Sequence, residues 1–184
     1  KLGLAITDEQ HRFGVKQRAL LAEQGNTPDV LVMTATPIPR TLALILYGDM
    51  DLSVLNSLPR GRIPIKTYAL DNSFHDRIYR WILRLAAEGR QIYMVYPLIE
   101  EGEDPGVRSA ADSYAELSRG VFRDIPCGLL HGKMTPAQKE SVMRSFREGT
   151  VRILFSTTVV EVGVDVPNAV LMVIENAERF GLAQ

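Results

Sequence analysis

The sequence is poor in cysteine, since Cys127 is the only one among 184 residues. One thiol cannot build a disulfide framework, which fits a reducing compartment such as the cytoplasm. Its place in an apolar run predicts a small buried side chain rather than a reactive thiol. Long hydrophobic runs are also missing, because none approaches the roughly 20 residues that a membrane-spanning helix needs. We therefore expect a cytoplasmic protein without a membrane partner.

The chain also lacks an excess of charge of either sign, with 21 basic and 22 acidic residues and a formal net charge of -1. No global basic field argues for nucleic acid, although a groove needs only local positive charge. The hydrophobic content of 46% and the charged content of 23% are ordinary for a soluble globular protein. The chain begins with Lys1 and carries no visible signal peptide, and we expect the natural N-terminus to lie upstream.

Short apolar runs alternate with helical patterns, which predicts an α/β fold with a parallel sheet and crossover helices. The predicted strands are Leu2–Thr7, Val30–Thr34, Leu52–Leu55, Ile65–Leu70, Ile92–Tyr96, Cys127–Leu130, Arg152–Phe155 and Ala169–Ile174. The predicted helices are Val15–Gln24, Arg40–Tyr47, Phe74–Glu88, Ala110–Arg119 and a helix that starts at Pro136 and ends before Gly149. Residues 65–174 therefore suffice for a nearly complete doubly wound domain, whereas residues 1–60 hold only part of a second one.

A stiff connector, Leu58–Pro64, contains two prolines and a glycine. This composition is typical of an exposed linker, and it predicts two domains, residues 1–60 and residues 61–184. Glu100–Asp104 predicts a solvated acidic loop in the second domain.

Two helices carry more specific patterns. Thr135, Pro136 and Gln138 predict a capping box, with a hydroxyl at the N-cap and proline at the first helical position. In the helix Phe74–Glu88, the predicted apolar face is the set Ile78, Trp81, Ile82 and Leu85.

The first chemical signal is Asp8-Glu9, which directly follows an apolar strand. Phosphoryl-transfer folds use such a pair to hold Mg²⁺ through water with one carboxylate and to activate the attacking water with the other. The pattern by itself is also that of a solvated strand end. Thr34 and Thr36 end the next predicted strand, so their hydroxyls should lie beside the carboxylates at one edge of a parallel sheet. Taken alone, these threonines are more typical of a strand that leads into a proline turn.

The second domain contains a comparable junction after the strand Arg152–Phe155. Thr157 and Thr158 offer hydroxyl and backbone N–H groups to a phosphate oxygen, Gly163 permits a close backbone approach, and Asp165 could accept from a ribose hydroxyl. A polar surface loop is the alternative.

Other candidate residues are less specific. Gly128–Lys133 imitates a phosphate-binding loop but has the wrong spacing, and Met134 stands where Ser or Thr is required. We expect a hydrogen-bonded structural role for His131 and a helix-surface position for His75.

These motifs together resemble a known family. Asp8–Gly14 and Thr34–Thr41 resemble motifs II and III of superfamily 2 helicases, and Thr157–Asn168 resembles motif V. The sequence is similar to the RecG family of ATP-dependent DNA helicases across nearly the whole chain. The similarity includes Leu42–Asp51, His131–Met134 and Ile174–Gln184. The next most similar family is the transcription-repair coupling factor Mfd, whose motifs differ at Gln10 and Glu161–Gly163.

The resemblance implies a fold and residue roles. It implies an incomplete first RecA-like domain followed by a nearly complete second RecA-like domain, in the P-loop NTPase helicase fold. Asp8 and Glu9 match the Mg²⁺ and water-activating pair. Gln10, His11, Thr34 and Thr36 match residues that couple ATP to DNA. Thr157, Thr158, Gly163 and Asp165 match positions that contact the nucleotide or the DNA backbone.

The resemblance also implies ATP and Mg²⁺ as cofactors and branched duplex DNA, such as forks and Holliday junctions, as the substrate of a monomeric bacterial parent. No G-x-x-x-x-G-K-[ST] loop occurs in the sequence, and motif VI is expected beyond Gln184. We therefore expect this chain alone to be inactive. The alternatives are a non-enzymatic α/β module and, less compatible with the absence of a cofactor loop, a small-molecule α/β enzyme.

Overall fold

The computed structural model describes residues 3–8, 29–33, 51, 53–57, 63–98, 107–158 and 165–181. The chain divides into two units, Lys1–Pro64 and Ile65–Leu182. The predicted boundary followed residue 60, and the assignment of the two units to two motor domains stays a prediction. The predicted helices Val15–Gln24 and Arg40–Tyr47, residues 58–62 of the connector and the acidic loop Glu100–Asp104 lie outside the described residues.

The first unit contains a parallel pair of strands, β1 (Leu4–Asp8) and β2 (Asp29–Met33). Both strands were predicted, with bounds shifted by a residue or two. Ala5 and Thr7 point to a buried side of β1, while the alternate residues Leu4 and Ile6 are exposed. The register places Asp8 opposite Met33, so both strands end together.

Two predicted strands are wrong. Of Leu52–Leu55, the described residues 53–55 are not in a strand, and Leu55 is 94% exposed. Ile65–Leu70 also forms no strand, and Ile65 is 83% exposed. A strand exists only where a neighbouring backbone completes its hydrogen bonds, and an apolar run does not supply that neighbour.

The second unit has a parallel four-stranded sheet made of β3 (Gln91–Val95), β4 (Cys127–Leu130), β5 (Ile153–Ser156) and β6 (Ala169–Ile174), in the order β4-β5-β3-β6. Its helices are α1 (His75–Ala87), α2 (Ala110–Arg119) and α3 (Pro136–Arg147). Short 3-10 turns occupy Asn72–Phe74 and Ala177–Arg179. No helix in the described ranges has the length and apolar character needed to cross a membrane.

The core has two layers, one on each face of the sheet. Ile92, Met94 and Tyr96 pack in one layer with residues of α1 and α2. Tyr93 and Val95 pack in the other layer with residues of α3. Every residue of β3 is buried, which is typical of a central strand covered on both faces by helices. The doubly wound arrangement predicted from the alternation of elements is therefore present.

The predicted apolar face of α1 is confirmed for Ile78, Ile82 and Leu85, which pack in the core, and it is wrong for Trp81. Tyr79 and Ile82 are its buried residues, and Trp81 is 41% exposed. Successive helical residues are about 100° apart, so a face centred on Ile82 turns Trp81 toward the side. The helix stops at Gly89, whose φ of 80° suits a residue without a Cβ, and the Gly89 N–H donates to the Ala86 carbonyl.

The capping box of α3 is confirmed. The Thr135 hydroxyl accepts from the Gln138 N–H at 3.3 Å, and the Gln138 side chain accepts from the Thr135 N–H at 2.9 Å, with Pro136 at the first helical position. These bonds satisfy backbone donors that an uncapped helix leaves unpaired.

Cys127 has the structural role expected for it. Its thiol is half-buried and donates to the Ile125 carbonyl at 3.3 Å. Burial raises the pKa of Cys127 to about 11, because a thiolate is poorly solvated among apolar side chains.

A buried amide joins the elements at the amino end of β3. Gln91 is 1% exposed, and its amide donates to the carbonyls of Phe146 and Val151. Its carbonyl accepts from the Asn168 amide, which also donates to the Gly89 carbonyl at 2.8 Å. One side chain therefore connects β3 to the end of α3 and to the start of β6.

We expect Gln91→Met to lower the free energy of unfolding by about 1–3 kcal/mol, because the Phe146 and Val151 carbonyls and the Asn168 amide lose a partner while the side-chain volume is kept. Urea denaturation followed by circular dichroism measures the loss. The exposed Gln138→Met is the matched control and should cost no more than about 1 kcal/mol, the value of a helix cap. Equal losses in both variants would contradict the role given to Gln91.

Candidate functional site

The first candidate site lies at the carboxyl edge of β1 and β2. Asp8, the last residue of β1, is exposed and lies opposite Met33, the last residue of β2. The chain therefore leaves both strands at one edge, toward Glu9 on one side and Thr34 on the other. Glu9, Gln10, His11, Thr34 and Thr36 themselves lie outside the described residues. Their proximity to Asp8 stays a prediction that the parallel pairing supports.

Asp8 fits the requirements of a magnesium ligand. Mg²⁺ prefers carboxylate oxygens and usually keeps several waters, using one or two carboxylates together with substrate phosphates. The described ranges contain no group of three His, Cys, Asp or Glu that could hold a metal without such help. An exposed carboxylate at a strand end suits a magnesium ion that is held by one carboxylate together with substrate phosphates and water, because these can complete the coordination.

The second candidate site lies at the carboxyl edge of the four-stranded sheet. Thr157 directly follows β5 and is 5% exposed, and Thr158 is half-buried. The Thr157 N–H donates to the Leu130 carbonyl at 3.3 Å. The expectation that backbone N–H groups at this junction suit a phosphate is thus wrong for Thr157, because its N–H already completes the sheet. Asp165 is exposed, and Gly163 lies outside the described residues.

His131 follows β4 at the same edge. Its N–H donates to the Met134 sulfur at 3.4 Å, and the Lys139 amine donates to the Gly132 carbonyl at 2.9 Å. The imidazole Nδ1 is buried and has no hydrogen-bond partner within the described ranges. The side-chain hydrogen bond expected for His131 is therefore not found there.

A buried carboxylate that the sequence analysis did not single out follows β6. The Glu175 side chain is 8% exposed, and its Oε2 lies 3.1 Å from His75 Nε2. The Glu175 N–H donates to the Val95 carbonyl at 2.9 Å, which places Glu175 beside the end of β3. The prediction that His75 lies on the helix surface is wrong, since its side chain is 19% exposed and its ring stacks on Tyr79.

Arg108 extends these contacts to the segment before α2. Its guanidinium donates to the Tyr79 hydroxyl at 3.1 Å, and its backbone N–H donates to the Asn176 side chain at 3.2 Å. Burial raises the pKa of Tyr79. Burial alone would lower the pKa of Arg108, but nearby Tyr79 and acidic groups raise it overall, so Arg108 stays charged.

We call this set the polar cluster: His75, Tyr79, Arg108, Glu175 and Asn176. It joins the start of α1, the segment before α2 and the exit of β6 at the edge of the sheet where α/β proteins bind ligands. A carboxylate directly after an apolar strand is the same pattern that identified Asp8, so Glu175 could have been found from the sequence. Its partner His75 could not, because it lies 100 residues away along the chain.

A double-mutant cycle on His75→Ala and Glu175→Ala should give a coupling free energy of about 1 kcal/mol or more, because the pair is shielded from water. Urea denaturation of the two single variants and the double variant measures the coupling. The exposed pair Arg144–Glu140, 3.2 Å apart on α3, is the control. Its cycle should give about 0.3–0.5 kcal/mol. A His75–Glu175 coupling no larger than this would contradict the burial argument.

Comparison with known proteins places the chain beside DNA helicases. Residues 76–183 match the family described as helicase conserved C-terminal domain. The whole chain is 52% identical to the ATP-dependent DNA helicase RecG of Synechocystis sp., of which it covers 22%. The curated relatives to which it is similar are about four times longer, since the chain spans 22–27% of their lengths.

Two solved structures are also similar to the chain. All of the chain aligns with 23% of a structure of RecG bound to a three-way DNA junction, with a TM-score of 0.75 and 45% sequence identity. A Saccharomyces cerevisiae Dbp5 structure aligns with 92% of the chain, and the chain covers 42% of it, with a TM-score of 0.54. At 14% identity that second likeness concerns the fold alone.

Proposed function

Since this chain belongs to the helicase conserved C-terminal domain family, we propose that it is part of the motor of an ATP-dependent DNA helicase of the RecG type. The predicted resemblance to RecG is confirmed over the whole chain, and the predicted RecA-like α/β fold agrees with the parallel sheets and with both solved structures. What the complete protein does is part of the proposal, because the chain spans only about a quarter of its relatives.

The parallel register of β1 and β2 is the observation that carries the proposal. Asp8 lies opposite Met33, so β1 and β2 end together at one edge of the sheet. A motor needs the segments that follow these two strands together, since one acts on the nucleotide and the other must respond to it. An antiparallel pair, or a register shifted by several residues, would separate them.

We assign chemical roles to the residues on that basis. Asp8 would hold Mg²⁺ through water, and the ion would bridge the phosphates and neutralise charge as the terminal phosphate leaves. Glu9 would orient the attacking water and accept its proton. Gln10, His11, Thr34 and Thr36 would couple the nucleotide to DNA. Thr157, Thr158, Gly163 and Asp165 would bring the second unit's contacts to the nucleotide or the DNA backbone.

The proposed substrate is branched duplex DNA, including forks and Holliday junctions, and the proposed location is the bacterial cytoplasm. Support comes from the similar RecG structure, which is bound to a three-way junction, and from the bacterial sources of the relatives. A monomeric parent remains part of the proposal.

In a full-length protein that contains this chain, Glu9→Gln should lower DNA-stimulated ATP hydrolysis by at least about 100-fold, because a general base contributes about 10²–10⁴-fold. ATP binding should persist, since the Mg²⁺ ligand is kept. Steady-state kinetics with forked DNA and a nucleotide-binding titration measure the two quantities.

Asp29→Asn is the control for this experiment, because Asp29 is an exposed carboxylate at the opposite end of the same strand pair. It should leave hydrolysis unchanged within about twofold, a difference worth less than 0.5 kcal/mol in barrier height. Loss of activity in both variants, or in neither, would contradict the catalytic role of this edge.

The 184-residue chain alone should hydrolyse ATP negligibly, with or without DNA. Phosphoryl transfer depends on positioned phosphates and on charge stabilisation, and the sequence contains no G-x-x-x-x-G-K-[ST] loop to cradle them. Phosphate release from the purified chain, compared with its Glu9→Gln variant, is the measurement. A rate clearly above that of the variant would overturn the expectation.

A further inference from the structure

The outward face of α1 carries three arginines and the only tryptophan of the chain. Arg77, Arg80, Trp81 and Arg84 have the spacing i, i+3, i+4 and i+7, which aligns side chains along one side of a helix. All four are exposed. Tyr79 and Ile82, on the other side of the helix, are buried in the core, so packing fixes which face points outward. We call these four residues the Arg-Trp face.

The arginines of this face are not used in ion pairs. No carboxylate of the described residues lies within 4.0 Å of the guanidinium of Arg77, Arg80 or Arg84. The Nε of Arg80 donates to the backbone carbonyl of Asp76 at 3.2 Å. Among the described residues these arginines form no ion pair, and Asp76 and Glu88 flank them at the two ends of α1. Three arginines against these two acids leave a net charge of +1 on this part of the helix.

A solvated helix face is the simplest alternative, since single exposed apolar residues are common on soluble proteins. Two features argue for a ligand. The indole lies between the arginines rather than apart from them, and the charge has no partner in the described residues. Guanidinium groups bind phosphates in a bidentate manner, and an exposed indole provides a flat surface for a nucleobase. Arg77 and Arg84 are separated by about 10 Å along the helix axis, since each residue rises about 1.5 Å.

The position of the helix favours nucleic acid over an acidic peptide. His75, the first residue of α1, contacts Glu175, so α1 begins at the carboxyl edge of the sheet, where ligands of α/β proteins bind. A strand that crosses this edge can continue along α1. Paired bases keep their faces stacked inside a duplex, whereas unpaired bases expose them to an aromatic side chain.

We propose that the Arg-Trp face binds single-stranded nucleic acid, with the arginines on successive phosphates and Trp81 stacked on an unpaired base. This site is additional to the contacts assigned to the motor residues above. Binding at the Arg-Trp face does not require ATP hydrolysis. This proposal can therefore be wrong while the proposed motor function is right, and the motor function can be wrong while this proposal is right.

Because Trp81 is the only tryptophan, its fluorescence reports binding at this face directly. Titration of the chain with an oligothymidylate of about 12 nucleotides, a length within the site sizes of single-strand binders, should quench the emission to saturation. The affinity should fall with salt, with a logarithmic slope that includes about -2 from three phosphate contacts.

The variant Arg77→Gln/Arg80→Gln/Arg84→Gln should weaken the binding measured by quenching and reduce the salt slope by about 2. Trp81→Leu, followed by the anisotropy of a fluorescein-labelled strand, should weaken binding about tenfold, whereas Trp81→Phe should recover most of it because an aromatic ring is restored. The matched control is Arg119→Gln/Arg123→Gln/Arg147→Gln, which removes the same charge from exposed positions elsewhere. It should leave the quenching unchanged, and circular dichroism checks that every variant is folded.

Absence of saturable quenching would overturn the proposal, as would equal losses in the two triple variants. Stronger quenching by a glutamate-rich peptide would assign the face to an acidic protein partner instead. Equal quenching by a duplex of the same length would also overturn it, because stacking on an unpaired base would then have no part in binding.

Discussion

The burial of β3 on both faces is the constraint on which the second unit depends. Ile92, Met94 and Tyr96 face one helical layer, and Tyr93 and Val95 face the other. Burying a large apolar side chain contributes about 1.5–3 kcal/mol, so the strand is anchored from both sides. A slip of one residue would exchange the two sets of side chains, and the register of β3 with β5 and β6 is therefore strongly specified.

Polar groups at the two ends of β3 serve different purposes. At the amino end, the Gln91 amide connects backbone carbonyls and Asn168. At the carboxyl end, the polar cluster gathers a carboxylate, an imidazole and a guanidinium at the sheet edge where Thr157 follows β5. In a parallel sheet, all carboxyl ends of the strands lie at one edge, which is where ligands bind. Polar groups with a structural role can therefore lie at the amino end of β3, while the polar cluster lies at its carboxyl end.

In the first unit, β1 and β2 run in parallel and end at the same edge, at Asp8 and Met33. The likeness to RecG supports the proposal that this edge belongs to an ATP-dependent motor that acts on branched DNA. The Arg-Trp face is independent of that likeness, because it depends only on the orientation of α1 and on charge.

The sequence by itself determined the elements whose signals are local. Alternating apolar runs predicted β3 to β6, hydroxyl, proline and amide spacing predicted the capping box of α3, and Asp8-Glu9 with Thr34 and Thr36 predicted the helicase family. Tertiary structure decided the rest. Ile65–Leu70 has a strand-like sequence but pairs with no strand among the described residues. Tyr79 is buried while Trp81 is exposed, and His75 contacts Glu175 across 100 residues. Local sequence patterns predict whether a segment forms a helix or a strand and which of its sides is apolar. Contacts between distant residues form only when the packed sheet brings the ends of its strands together.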